Sequence, residues 1–250
     1  MAIEYVNLDL DNVDSEHLCC AIADKKHQCG VLSKKDWLKS RIKEGHVFRK
    51  LNQKGKVFIE YAPLEMAWTP IIGENYLYIY CLWVAGSFKG KGYAKDLLTY
   101  CIEDARRQGK AGVCVLSSTK KKPFLSDKKF FLKYAFEVVA RMKGEYELLA
   151  LSLNGGSTPR FTDFCQELTI KKKTLTVYYS PQCPYTSNCI EQMEVYCEKE
   201  GVPLHIIKVD TLEKAKKIPC LFNNWAVFYK GKFHTPHLLN EGFLKKLLAQ

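Results

Sequence analysis

Gly90 and Gly92 sit in the run Leu82-Trp83-Val84-Ala85-Gly86-Ser87-Phe88-Lys89-Gly90-Lys91-Gly92-Tyr93-Ala94, where an unbroken apolar segment feeds a turn and then a helical pattern. Glycine has no Cβ, so the backbone there can point its N–H groups inward and let a phosphate come close. A helix opening at that point adds unpaired N–H donors and the positive end of its dipole, a combination suited to a pyrophosphate. Lys89 and Lys91 add positive charge. Paired glycines recur in many turns, so the weight comes from the succession of strand, loop and helix. A Rossmann dinucleotide site would need a third glycine and an acidic residue about 20 positions on, at the end of the next strand. That strand ends in Leu116-Ser117-Ser118, which sets the dinucleotide alternative aside.

The glycine spacing resembles the acetyl-CoA loop of the GNAT superfamily, Gln/Arg-x-x-Gly-x-Gly/Ala. Gly90 and Gly92 fill both glycine positions, while Ser87 stands where the family has Gln or Arg. Phe130-Phe131-Leu132-Lys133-Tyr134-Ala135-Phe136-Glu137 resembles the family's Phe-Tyr-x-x-x-Gly-Phe. Ile59-Glu60-Tyr61-Ala62-Pro63 through Trp68, with Cys81-Leu82-Trp83-Val84, is similar to a two-domain bacterial group, the YoaP-like proteins.

This resemblance implies a mixed α/β (α+β) GNAT fold over residues 1–154, a central mixed sheet flanked by helices. It also implies an N-acetyltransferase with acetyl-CoA as co-substrate and an amine as acceptor. In the family, backbone N–H groups hold the thioester carbonyl where the central strand splays from its neighbour, which maps onto Trp83 and Val84. Phosphates and pantetheine would run along Phe88, Lys89, Gly90, Lys91, Gly92, Tyr93 and Ala94, with Ser117 beside the pantetheine and Phe131 at its far end. Phe131 occupies the position at which many members place a tyrosine as general acid, and it has no proton to give; Tyr134, one turn on, is the substitute candidate. The central strand Tyr76 to Val84 lacks a carboxylate, so Glu60 and Glu65 are the candidates for the base, either of them working through a water. Their plain alternatives are a solvent-facing strand residue and a loop residue. The rival from another class is a CoA-binding sensor whose chemistry has been lost at Ser87, Phe131 and Thr186.

Asn154-Gly155-Gly156-Ser157-Thr158-Pro159 ends the first pattern in turn residues, and residues 155–173 read as a linker. From Thr174 to Gln250 the expected order is strand, cysteine-bearing loop, helix, strand, short helix, Ile218-Pro219, two strands around Lys230-Gly231, and a last helix. That order resembles a thioredoxin-like domain, with Ser180-Pro181-Gln182-Cys183-Pro184-Tyr185-Thr186 similar to the glutaredoxin turn and Ile218-Pro219 in the place of that fold's cis-proline. Thr186 replaces the second cysteine of the dithiol. Cys183, at a helix opening, is a redox candidate, and Cys189 would need a distortion to bridge it.

The elements that position these residues follow from periodicity. Ser15 to Asp24 and Ser33 to Glu44 read as helices behind N-cap serines. Val47 to Leu51 and Lys56 to Tyr61 form a hairpin, and Tyr76 to Val84 a central strand covered on both faces. Ala94, Leu97, Leu98, Cys101, Ile102 and Ala105 share one helical face that stops at Gly109. Ala111 to Leu116 is a buried strand, Asp127 to Lys133 a short helix, and Phe136 to Leu153 two strands broken near Gly144.

Composition fits this picture. The 250 residues, 47% hydrophobic and 26% charged, suit a folded chain with one large or two modest domains. The N-terminus lacks the pattern of a secretory signal, and no apolar run approaches the roughly 18 residues of a membrane span, so the expectation is a cytoplasmic protein. Eleven cysteines is an odd count in too long a chain for a disulfide scaffold, and reduced thiols are expected. The net charge of +11 attracts polyanions, but the lysines are scattered in short runs and give no sign of a nucleic-acid face. His17, Cys19, Cys20, His27 and Cys29 fall short of the paired ligands that structural zinc requires.

Overall fold

The computed structural model describes residues 4–18, 20–21, 25–122 and 125–249. The chain divides into two compact units, the first made of Met1–Ile22, Leu38–Ala67 and Ile71–Phe161, the second of Ala23–Trp37, Trp68–Pro70 and Thr162–Gln250.

In the first unit, β1 (Tyr5–Asn7), β2 (Val47–Leu51), β3 (Val57–Pro63), β5 (Tyr76–Val84), β6 (Gly112–Ser118), β7 (Glu137–Met142) and β8 (Tyr146–Ser152) form one sheet in the order β1-β2-β3-β5-β6-β8-β7. The short β4 (Ile71–Ile72) pairs separately with β9 (Arg160–Phe161). Only β5 and β6 run parallel, because the helix α2 (Tyr93–Arg107) carries the chain back between them. Its Leu97, Leu98, Cys101, Ile102 and Ala105 are buried against Val57, Ile59 and Tyr61 of β3, Leu77 and Ile79 of β5, and Val113 and Val115 of β6. Each buried Leu or Ile there contributes roughly 1.5–3 kcal/mol, which fixes the helix to one face of the sheet. The Tyr61 hydroxyl donates to Asp104 at 2.7 Å and pins the helix to β3. The short helix α3 (Lys128–Leu132) opens on Asp127, whose side chain accepts from the Lys129 amide.

Two helix expectations change. The described part of 15–24 is turn and coil, with Cys19 and residues 22–24 outside the described residues. Helix α1 runs over Gln28–Ile42, starting five residues before Ser33. Inside the second unit a Cβ on Gly30 would run into the Pro184 carbonyl oxygen. Close approach of two backbones, rather than a turn, is what demands glycine there.

The second unit has β10 (Leu175–Tyr179), α4 (Tyr185–Lys199), β11 (Leu204–Lys208), α5 (Leu212–Lys216), β12 (Trp225–Tyr229), β13 (Lys232–Thr235) and α6 (Glu241–Leu248), the order read from sequence. Its sheet order is β11-β10-β12-β13, with β10 and β11 parallel and the other pairs antiparallel. No cis peptide occurs among the described residues, so the bond before Pro219 is trans, against the cis-proline expected there. The stretch 155–173 is bonded into structure rather than left as a free connector. Arg160 and Phe161 pair with β4, the Leu168 amide donates to the Pro219 carbonyl, and that of Ile170 to the Gly231 carbonyl. Polar composition hid this, since backbone pairing asks little of side-chain type. No helix among the described residues is long and apolar enough to cross a membrane.

Candidate active site

Strands β5 and β6 pair from Tyr76↔Gly112 to Ile79↔Val115 and then part, although β5 continues to Val84 and β6 to Ser118. On its other edge β5 stays paired with β3 as far as Val84↔Val57. A wedge therefore opens beside residues 80–84, and burial follows it: Tyr76 to Tyr80 are buried, Cys81 to Val84 only partly. A register shift between Glu60 and Tyr61 leaves Tyr80 as an extra residue on β5, a bulge at the mouth of the wedge.

Which amides face the wedge follows from the ladder. The Ala85 amide donates to the Lys56 carbonyl at 2.9 Å. Bonded and non-bonded pairs alternate along antiparallel strands, so Trp83 and Cys81 also direct their N–H groups to β3. Leu82 and Val84 direct theirs the opposite way, into the wedge. Of the two amides expected to hold a carbonyl, that of Val84 points into the wedge and that of Trp83 to β3, and the Leu82 amide points into the wedge as well. The Trp83 ring lies under the Lys56 ammonium, 5.0 Å from its centroid.

Beyond Val84 the chain makes a single 3-10 turn over Gly86–Phe88 and enters α2 through Lys89, Gly90, Lys91 and Gly92. Gly90 and Gly92 have φ of 76° and 88°, the left-handed region that side chains with a Cβ rarely adopt. A Cβ at either position would meet no chain atom within 4 Å, so the loop borders open space. Gly92 is the N-cap of α2 and provides no side-chain cap, so the amides of the first turn have no side-chain acceptor there. Lys89 and Lys91 are exposed on the same loop, and Phe88, Tyr93 and Ala94 are half-buried. Phe88 packs on Tyr93 with ring centroids 5.9 Å apart, and its ring fills the space a Cβ on Gly55 would need. The cluster of open amides and cations suits a polyanion, and the residues present fit a pyrophosphate.

The candidate bases part company. Glu60 is fully buried at 0% exposure, opposite Cys81 in the ladder, and its Oε1 lies 3.0 Å from Nε2 of His46. Its neighbours Ile59 and Tyr61 belong to the core under α2, so Glu60 faces the other side of the sheet. Glu65 is exposed and accepts from the Asn75 amide, clamping a residue with φ of 59° just before β5. Along β5 that is roughly 20 Å from the wedge, so Glu65 serves the turn. His46, which the sequence reading passed over, stands beside the Tyr80 ring at 5.2 Å between centroids. Only its place at the head of β2, two residues along from Phe48 opposite Glu60, hinted at the contact.

The remaining positions are more structural than expected. Phe131 is 1% exposed and packs on Phe130 and Phe136, a core residue. Tyr134 is half-buried against Phe130. Ser117 is fully buried and donates its hydroxyl to the Ser126 carbonyl at 2.7 Å, tying the end of β6 to the segment before α3.

In the second unit Cys183 is half-buried two residues before α4, and its carbonyl accepts from the amide and the hydroxyl of Thr186. Thr186, in the place of a second cysteine, is therefore a buried hydroxyl that donates back to the carbonyls of the turn before α4. Cys189 is buried, its thiol donates to the Leu239 carbonyl at 3.1 Å, and burial pushes it up to about 11.

Comparison with known proteins places the chain in a family. Residues 11–131 match the acetyltransferase (GNAT) family and residues 203–246 the YoaP-like family. The uncharacterized N-acetyltransferase YoaP of Bacillus subtilis (strain 168) is 38% identical over 245 residues, 98% of either chain. Among solved structures, the PaiA N-acetyltransferase of Thermoplasma acidophilum with coenzyme A is 16% identical over 61% of this chain and 100% of that one, at a TM-score of 0.44. A GNAT family acetyltransferase of Brucella melitensis with acetyl-CoA is 12% identical over 63% and 92%, at a TM-score of 0.40. With identity to YoaP along almost its whole length, and a family match over the strand, loop and helix that build the wedge, the chain belongs to the GNAT acetyltransferases and to their YoaP-like group.

Proposed function

We propose that this N-acetyltransferase moves the acetyl group of acetyl-CoA to a primary amine at the wedge between β5 and β6. The observation that carries the reading is the parting of these strands next to a glycine loop that opens α2. Acetyl-CoA supplies an activated thioester. Amides from Gly90 to Ala94 and the start of α2 bind the pyrophosphate, with Lys89 and Lys91 adding charge. Val84, next to the loop, holds the pantetheine arm, and Leu82, farther along the same edge, holds the thioester carbonyl. A preorganised amide aimed at the oxygen that gains charge is the largest single aid such a site can give. Glu60 takes the proton of the amine, directly or through a water. A departing thiolate of ordinary thiol basicity needs little help, and Tyr134 is the phenol available for it.

Calorimetry of acetyl-CoA binding tests the site. Gly90→Val should lower affinity by about 100-fold, because a branched side chain both resists the left-handed backbone and fills the space over the loop. Equal affinity in wild type and variant removes the assignment. Binding without release of CoA across an amine panel would turn the reading to a sensor.

For the second unit we infer a thioredoxin-like fold, supported by its βαβαββα order and by the sheet order β11-β10-β12-β13. With Thr186 at the second position, Cys183 acts as a monothiol that forms adducts with small thiols and shows little dithiol reductase activity. An insulin-reduction rate matching that of a dithiol protein would contradict it.

A further inference from the structure

A carboxylate with no solvent exposure is an unusual place to lodge a base. Moving it out of water favours the protonated acid, which accepts no proton from an amine. A hydrogen bond donated to the ionised form works the other way. His46, itself only 5% exposed, places Nε2 3.0 Å from Glu60 Oε1. His46 immediately precedes β2 and Glu60 lies on its neighbour β3, and the Glu60 backbone faces Cys81 where the wedge begins.

We infer that His46 is a positioning residue for acetyl transfer, holding Glu60 ionised and oriented so that it can take the amine proton. The inference rests on the reading of Glu60 as the base. In the transfer, the substrate ammonium gives one proton to the Glu60 carboxylate. The freed nitrogen pair forms the C–N bond while the C–S bond breaks and its pair goes to sulfur. Of the two hydrogens left on nitrogen, one stays in the amide and the other ends on the thiolate. Glu60 then returns its proton to solvent, so that charge and atoms balance.

Several other groups lie around the pair. Tyr80 sits against the His46 ring, Tyr78 stands 5.0 Å from Tyr80, and Cys81 lies across the ladder from Glu60. Lys50, on the β2 strand that follows His46, is paired with Glu16 at 2.7 Å. Arg41, whose carbonyl accepts the His46 amide, is paired with Glu44 at 2.8 Å. The His46 imidazole stands against Glu60 at 3.0 Å, with its Nε2 taken as the donor.

The test compares His46→Ala, His46→Gln and the double variant His46→Ala/Glu60→Gln. Infrared spectra at neutral pH should show the carbonyl stretch of a buried protonated carboxyl in His46→Ala. That band should be missing from wild type, from His46→Gln, whose amide can donate the same bond, and from the double variant. In turnover with acetyl-CoA and the amine of a panel that wild type uses fastest, His46→Ala should lower kcat by ~10²-fold and leave KM for acetyl-CoA unchanged. Its acid limb should move to higher pH, and His46→Gln should recover most of the rate. No carboxyl band in His46→Ala, or a wild-type kcat and pH profile in that variant, overturns the inference. Failure of the transfer reading itself shows in wild type, as absence of CoA release with every amine, and the infrared comparison then still decides whether His46 keeps Glu60 ionised.

Discussion

Replacing single backbone amides by esters along β5 separates the roles of three consecutive residues without touching a side chain. The perturbation removes one N–H at Leu82, Trp83 or Val84. Amides two residues apart on a strand are about 6.8 Å apart, so one carbonyl oxygen cannot accept a good bond from both Leu82 and Val84. The full worth of a donor to the charge-gaining oxygen, about 2.7–4 kcal/mol or ~10²–10³ in kcat, therefore falls on one position. At Leu82 the ester should lower kcat by that amount with little change in acetyl-CoA affinity. At Val84 it should raise KM for acetyl-CoA several-fold and spare kcat, since an ordinary hydrogen bond contributes about 1 kcal/mol. At Trp83 it removes a ladder bond to β3, so kcat and KM should stay near wild type while stability falls by about 1 kcal/mol. Steady-state kinetics of CoA release and urea unfolding of the same three proteins read all of this. A largest kcat loss at Trp83, or equal losses at all three, would refute the alternation argument and with it the aim of the wedge amides.

Glu65→Gln should leave kcat within about twofold, because the carboxylate caps the Asn75 amide at the far end of β5, and should cost about 1 kcal/mol in urea unfolding as a charged acceptor is lost. Alkylation at neutral pH followed by mass spectrometry should mark Cys183 and exposed Cys29 before Cys189, and no Cys183–Cys189 disulfide should accumulate under mild oxidation. Cys189 also sets an alkaline limit. Its folded-state thiol, pushed up to about 11 by burial, keeps its proton at a pH where the unfolded thiol has lost it, so stability should fall as pH rises from about 9 toward 11. Unfolding midpoints of wild type and Cys189→Ala should converge over that range; parallel lines would show that the thiol is not linked to folding.

Much of the transferase core was legible because its signals are local. The apolar run of β5, the helical face of α2 and the glycines between them each act within a dozen residues, and a strand, a loop and a helix in direct succession leave little choice of arrangement. Gly30 shows the limit. Nothing in its sequence neighbourhood points to its constraint, which is the Pro184 carbonyl, more than 150 positions away. Phe131 shows the same in reverse: the motif implied a ligand contact, and packing with Phe130 and Phe136 made it core.

The site residues divide along the same line. Gly90 and Gly92 matter through their own backbone, which takes the left-handed region, so type and spacing suffice to place that turn. Glu60 depends on a partner fourteen residues away, reached only when β2 and β3 pair in the register Phe48↔Glu60. Trp83 and Leu82 differ by nothing visible in sequence, since both are large apolar residues in an apolar run. What distinguishes them is the parity of the ladder with β3, set by the bulge at Tyr80 and by the bond from Ala85 to Lys56. Shifting that register by one residue would turn the Leu82 and Val84 amides back to β3 and aim Trp83 at the wedge, and every side chain on β5 past the bulge would change face with them. Packing and amide direction are therefore linked: Leu82 and Val84 reach the core under α2 only in the register that also leaves their amides open to the wedge.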